Sequence, residues 1–196
     1  MANKPRVLVA LTSQRMIFSR TAFSLVESAL ASKDYIFDFY LEMGADIASS
    51  RNRIVYAAQE RKCSHLLFVD YDMYFPPTAI PKLIEADKDI IGAAYNFRSE
   101  DVRSTAVPVG VGKQVHPDEL PKEPFKAEAM GAGLLLIKMH VFDKIKAPWF
   151  MFGYNAKGEM HFGEDTYFIQ RALNEAKLEA WADPTLRVKH IGEQLF

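Results

Sequence analysis

The stretch HLLFVDYDMYFPP, His65 to Pro77, constrains the possible fold more than any other part of the chain. Leu66, Leu67, Phe68 and Val69 form a continuous apolar run, the pattern of a strand buried on both faces, and Asp70 and Asp72 follow at its exit. Charge begins where the core ends. In open α/β sheets ligands bind beyond the carboxyl ends of the strands, so an Asp-x-Asp turn there sets two hard oxygen ligands beside a crevice where a divalent cation bridges protein to phosphate. Aspartates after strands also serve as plain turn formers and helix caps. A plain turn, however, would not need the acidic pair Glu164-Asp165 and His190 that this chain carries far downstream.

Around this stretch the hydrophobic pattern alternates between strand and helix. Val7 to Leu11 reads as a buried first strand ending at Thr12-Ser13. Ala22, Leu25, Val26 and Ala29 then recur at helical spacing, and Tyr35 to Leu41 reads as a second strand with Glu42 at its exit. Asp46, Ser49 or Ser50 caps a helix running to about Arg61. Arg51 and Arg53 fall in its first turns, where cations oppose the helix dipole, so they either lie on a solvated face or clamp an anion. After the Asp-x-Asp turn come a short helix over 78–86 and a strand over 89–94. The order β-α-β-α-β-α-β predicts an α/β domain with a mostly parallel central sheet and flanking helices, nucleotide-binding in type over residues 1–98.

Past Arg98 the pattern changes. Residues 99–128 are charged and interrupted by prolines, with short strands at 106–111 and 125–129, and Gly110-Val111-Gly112-Lys113 lacks the spacing of a phosphate loop. Gly131-Ala132-Gly133 leads into a buried strand, Leu134 to Ile137. The two glycines either admit another group close to the backbone or shape a bulge. A short helix is expected near 141–145, and Trp149 to Phe152 is core or a sugar-stacking wall. Gly163-Glu164-Asp165 opens an amphipathic helix, and strands over 179–182 and 186–189 bring the chain to His190. This half, residues 99–196, is expected to be mixed in topology and to complete a single domain of 196 residues.

Net charge is −1, from 24 basic and 25 acidic residues, which gives no global electrostatic case for nucleic acid or a membrane surface. The lone Cys63 cannot form an intramolecular disulfide, and neither a signal-peptide core nor a membrane-length apolar run is present. The expectation is a cytoplasmic protein without membrane insertion.

Taken together, Thr12 after the first strand, the SSRN helix start, LLFVDYD, GAAYNFR, MGAGLLLI, FGEDTYF and the closing VKHIG resemble glycosyltransferases of the GT-A fold, in particular small family 2-like enzymes. The likeness spans almost the whole chain in order and spacing. It implies that the Asp70-Tyr71-Asp72 turn binds a nucleotide-diphosphate sugar, with Asp72 on a divalent cation, Mn2+ or Mg2+, Asp70 beside it and His190 completing the metal shell. By the same resemblance Asp165 is the general base, Glu164 contacts acceptor or donor sugar, Thr12, Glu42 and Arg51 hold base and ribose, and Gly131 and Gly133 lie under the transferred sugar. Glu42 also reads as a solvated strand-end acid. A base acting opposite the leaving group implies inversion, and the acceptor, whether glycan, protein or modified nucleobase, stays open. The competing readings are a nucleotidyltransferase on a related fold, for which the first strand exit lacks a glycine-rich phosphate loop, and a module that binds nucleotide sugar or glycan without turnover. An aspartyl-phosphate phosphatase fits less well, because its motif belongs on the first strand.

Overall fold

The computed structural model describes residues 4–13, 16–44, 46–98 and 102–192. Its strands are β1 (Arg6–Thr12), β2 (Ile36–Glu42), β3 (His65–Asp70), β4 (Met73–Tyr74), β5 (Ile90–Ala93), β6 (Val107–Pro108), β7 (Phe125–Ala129), β8 (Leu134–Lys138), β9 (Gly153–Tyr154), β10 (Met160–Phe162), β11 (Ala180–Asp183) and β12 (Lys189–His190). The helices are α1 (Ser19–Ala31), α2 (Ile47–Glu60), α3 (Ala79–Glu85), α4 (Val141–Lys144) and α5 (Glu164–Asn174).

Eight strands form one sheet in the order β2-β1-β3-β8-β5-β11-β7-β6, with β9–β10 and β4–β12 as separate pairs. The β1–β2, β1–β3 and β5–β11 pairings are parallel, whereas β8 runs antiparallel to both β3 and β5, and β7 antiparallel to β11 and β6. All strands but β7 and β8 therefore point the same way. The expected mostly parallel sheet with a mixed C-terminal half is what forms. One step of the simple alternation changes: β5 does not lie beside β3, because β8, from the second half of the chain, is inserted between them.

The apolar runs account for this arrangement. Leu8, Ala10, Leu66, Phe68, Leu135 and Ile137 face α2 and α5, while Val7, Val9, Leu67, Val69, Leu134 and Leu136 face the opposite core beneath α3. A strand apolar at every position can be satisfied only between two such layers, so β1, β3 and β8 lie in the interior of the sheet, none of them at an edge. Trp149 and Phe150 belong to the first of these cores. Among the described residues, no helix is long and apolar enough to cross a membrane.

Two local expectations change, and two short features were not expected at all. Residues 186–189 are not a strand: Pro184–Leu186 is a turn of 3-10 helix, Arg187 adopts φ 53°, and only Lys189–His190 pairs, with β4. The β4 strand and the β9–β10 hairpin are too short to announce themselves by periodicity. Helix α1 is also rotated relative to its apolar pattern. It buries Thr21, Ser24, Leu25 and Ser28 and leaves Phe23 (68% exposed), Val26 and Leu30 outside.

Candidate functional site

The rotation of α1 is explained by the turn that the helix supports. Thr21 Oγ1 donates to the Tyr71 carbonyl at 2.9 Å, Phe18 N–H donates to the same carbonyl at 3.0 Å, and Ser24 Oγ accepts from Phe75 N–H at 3.2 Å. Residues 71–75 leave the main sheet, and the Tyr71 and Phe75 groups on either side of β4 need partners, which an apolar helix face would not supply. Phe18 also stacks on Tyr71, with ring centroids 6.1 Å apart.

In front of the turn lies a cavity of about 570 Å³, at the carboxyl ends of β1 and β3 and the N-termini of α2 and α5. Thr12, Arg51, Asp70, Tyr71, Glu164 and Asp165 are in its walls, which brings six of the expected site residues together. Register accounts for part of this, since Thr12 pairs with both Asp70 and Glu42 across the sheet. Glu42 nonetheless turns to its own partners: Oε1 accepts from Arg53 Nε at 2.6 Å and Oε2 from Tyr40 Oη at 3.1 Å. Arg53 is thereby accounted for as a surface ion pair.

Arg51 is the electrostatic centre of the cavity. Its side chain is 3% exposed, with Nη2 donating to Asp70 Oδ1 at 3.2 Å and Nη1 lying 2.9 Å from Glu164 Oε1. Thr12 Oγ1 donates to the same Asp70 oxygen at 3.2 Å. Neither Nη1 nor Nε makes an aligned hydrogen bond among the described residues, so this buried guanidinium keeps donor capacity to spare. Asp46 caps α2 by accepting from Ser49 N–H at 2.8 Å, which sets the helix turn that carries Arg51. Of the two sequence readings of Arg51, the solvated face is excluded: it clamps carboxylates in the cavity wall.

At the start of α5, Asp165 Oδ1 accepts from Thr166 N–H at 2.7 Å. Burial pushes the Asp165 carboxyl above its ordinary range, while Arg51 and the Thr166 and Ala132 amides pull it back. Glu164 is likewise raised by burial against the pull of Arg51. Arg51 keeps its own proton more firmly than usual, because the fields of Asp70, Glu164 and Asp165 outweigh its desolvation.

Tyr95, at the exit of β5, was not singled out in the sequence, yet it organises the glycine pair. Its hydroxyl accepts from Gly133 N–H at 2.8 Å, and a Cβ added at Gly131 or Gly133 would lie 2.4 or 2.5 Å from that oxygen. Close approach, not a bulge, explains the two glycines, and the approaching group is the phenol. Neither glycine is in the cavity wall; they back it through Tyr95 and through Asp70 N–H, which donates to the Gly133 carbonyl at 3.0 Å.

The turn's second aspartate lies outside this cavity. Asp72 is 3% exposed on its side chain, and its Oδ2 is 2.7 Å from Arg98 Nη2 without hydrogen-bond alignment. The chain end arrives beside it: β12 pairs with β4, His190 opposite Met73, and Ile191 N–H donates to the Asp72 carbonyl at 2.7 Å. His190 Nδ1 lies 2.7 Å from the Asn96 carbonyl and its ring meets the Tyr95 ring edge-on at 4.7 Å. A carbonyl can only accept, so Nδ1 donates to it, and Nε2 is the ring nitrogen that a neutral His190 would offer to a ligand. Among the described residues, no three His, Cys, Asp or Glu side chains converge as a ready-made cation cage. Asp70, Asp72 and His190 do not form one together, because Asp70 is turned to Thr12 and Arg51 and Asp72 to Arg98.

No protein-family model matches this sequence, and no curated protein matches it. Solved structures do. A197 from STIV aligns over 96% of this chain and 86% of its own, with a TM-score of 0.64 and 17% identity. The inositol-1-phosphate CTP transferase from T. maritima aligns over 96% and 90%, with a TM-score of 0.51 and 10% identity. At these identities the likeness concerns the fold, and the fold is of the GT-A-like α/β class.

Proposed function

We propose that this chain is a metal-dependent glycosyltransferase of the family 2-like kind, moving a sugar from a nucleotide-diphosphate sugar to an acceptor nucleophile with inversion. The observation that carries the reading is the cavity beyond β1 and β3, where a buried arginine with spare donors faces a carboxylate, Asp165, held above its ordinary pKa. Arg51 offers planar N–H groups to a diphosphate or ribose, and Thr12 and Asp70 border the same space. Asp165 takes the proton from the attacking group of the acceptor on its carboxylate, and burial makes it a better base than a free aspartate. Glu164 lies 2.9 Å from Arg51 Nη1, and in this reading it positions that cation.

Charge balance supports a cation. In the cavity Asp70, Glu164 and Asp165 share the guanidinium of Arg51, and Asp72, just outside it, is matched by the half-exposed Arg98, so the carboxylates on the two sides of the turn outnumber the arginines that face them. Asp72 Oδ2, buried without an aligned hydrogen bond, and Nε2 of His190, whose Nδ1 is engaged by the Asn96 carbonyl, are the groups that would hold Mn2+ or Mg2+, with diphosphate and water filling the remaining positions. Such an ion supplies charge neutralisation of the departing diphosphate.

The test is a thermal-shift panel of nucleoside diphosphates with and without Mn2+. One base is expected to raise the melting temperature with the cation and much less without it, since saturation at 100 times Kd stabilises by about 2.7 kcal/mol. A flat response to every pair refutes the proposal. Nucleotidyl transfer is the second reading, favoured by the shared fold with the inositol-1-phosphate CTP transferase. Product analysis separates the two: sugar transfer releases nucleoside diphosphate, and nucleotidyl transfer from a triphosphate releases pyrophosphate.

A further inference from the structure

We propose that Arg98 is a stand-in cation for Asp72: its guanidinium sits on the carboxylate oxygen that a divalent ion would take, and the ion must displace it to bind. The inference rests on Asp72 and His190 being the cation ligands, as proposed above. Asp72 is 3% exposed, and Arg98 Nη2 sits 2.7 Å from its Oδ2, on the oxygen otherwise without an aligned hydrogen bond. Arg98 itself is 46% exposed. Among the described residues its further hydrogen bond is a long one, Nη1 to the Ile191 carbonyl at 3.4 Å.

The asymmetry matters. The carboxylate is fixed in the protein, with its backbone carbonyl held by Ile191 N–H at 2.7 Å, whereas the guanidinium is on a side chain that already reaches water. When an ion competes for Asp72, Arg98 rehydrates at little cost. A buried carboxylate left alone would be strongly penalised, so the arginine keeps Asp72 charged and correctly placed until the ion arrives. The exit of β5 serves both candidate ligands in this way: Asn96 fixes the tautomer of His190, and Arg98, two residues on, occupies Asp72. The cation affinity of the free protein is therefore set partly by Arg98, and falls short of what Asp72 and His190 would give unopposed.

The experiment is a Mn2+ titration without nucleotide, following free Mn2+ by its EPR signal, on wild type, Arg98→Gln, Arg98→Lys, Asp72→Asn and the double variant Arg98→Gln/Asp72→Asn. Arg98→Gln is expected to bind Mn2+ roughly three- to tenfold more tightly than wild type, the size of a partly exposed charge-assisted contact. Arg98→Lys, which keeps the competing charge, is expected to remain near wild type, and the double variant to lose the gain. A general folding defect would weaken binding and would not be repaired by Lys. Equal or weaker binding by Arg98→Gln, with Asp72→Asn still abolishing the wild-type signal, overturns the role of Arg98 and leaves the cation site standing. Binding indifferent to Asp72 in both backgrounds overturns the site itself.

Discussion

At the scale of single residues, the burial that raises the Asp165 carboxyl, and would suit it to the proposed role of base, also makes it a cost to the fold. Its folded pKa lies above the unfolded value, so the native state binds the proton more tightly. The sign follows from linkage: stability is greatest below the unfolded carboxylate value, near pH 4, and falls as pH rises through the raised native value. Asp165→Asn removes that dependence while leaving an oxygen to accept from Thr166 N–H. The variant is expected to melt at or above wild type at pH 7, to converge with it near pH 4, and to lose roughly 10²- to 10⁴-fold in turnover. Melting curves from pH 3.5 to 8 check the first part, and a variant clearly less stable than wild type at pH 7 would contradict it. Asp165 was legible because an acidic pair opening an amphipathic helix is a local pattern. Tyr95 was not, since its role depends on β5 and the Gly131–Gly133 turn meeting across a strand that enters from the second half of the chain.

Whole elements are joined at points that no periodicity reveals. Asn52, on α2 one residue after Arg51, donates from Nδ2 to the Phe150 carbonyl at 2.7 Å, and its Oδ1 accepts from Trp149 N–H at 2.8 Å and Phe150 N–H at 3.1 Å. A single amide thus satisfies three backbone groups of the segment leading to α5 and fixes that segment against the helix carrying Arg51. In the sequence Asn52 is one more polar residue in SSRN, and only the packing of Phe150 against Phe68 and Phe168 shows why the segment must lie there. Asn52→Ala leaves these groups without partners and is expected to cost about 2–4 kcal/mol, each stranded group contributing about 1–3 kcal/mol less whatever water recovers. Chemical denaturation measures it. A loss below 0.5 kcal/mol would mean that α2 and the 149–150 segment are held by apolar packing alone. The rotated face of α1 makes the same point: its apolar spacing was readable, but the demand of the Asp-x-Asp turn for donors and acceptors outweighed it.

Over the whole molecule, the strand runs made the sheet legible and the order of its strands was not. Leu134 to Ile137 reads equally well as an edge or a centre by composition, yet β8 lies between β3 and β5, with alternate residues in the two opposite cores. Its neighbours decide the matter, because β3 and β5 are apolar on both faces and each needs a partner of the same kind. This placement delivers Gly133 to the back of the cavity, so the stability of the centre and the shape of the site are one problem. Leucine truncation at two places separates centre from edge. Leu136, fully enclosed in β8, is expected to cost about 2–5 kcal/mol on replacement by Ala. Leu41, in the edge strand β2 and 53% exposed, is expected to cost under about 1 kcal/mol, since little of it leaves water on folding. Equal losses in urea denaturation would mean that β8 is not the strand on which both cores close. The predicted difference would put the strand behind the Asp70 backbone at the centre of the fold, so that the cavity wall is backed by the part of the sheet least able to open.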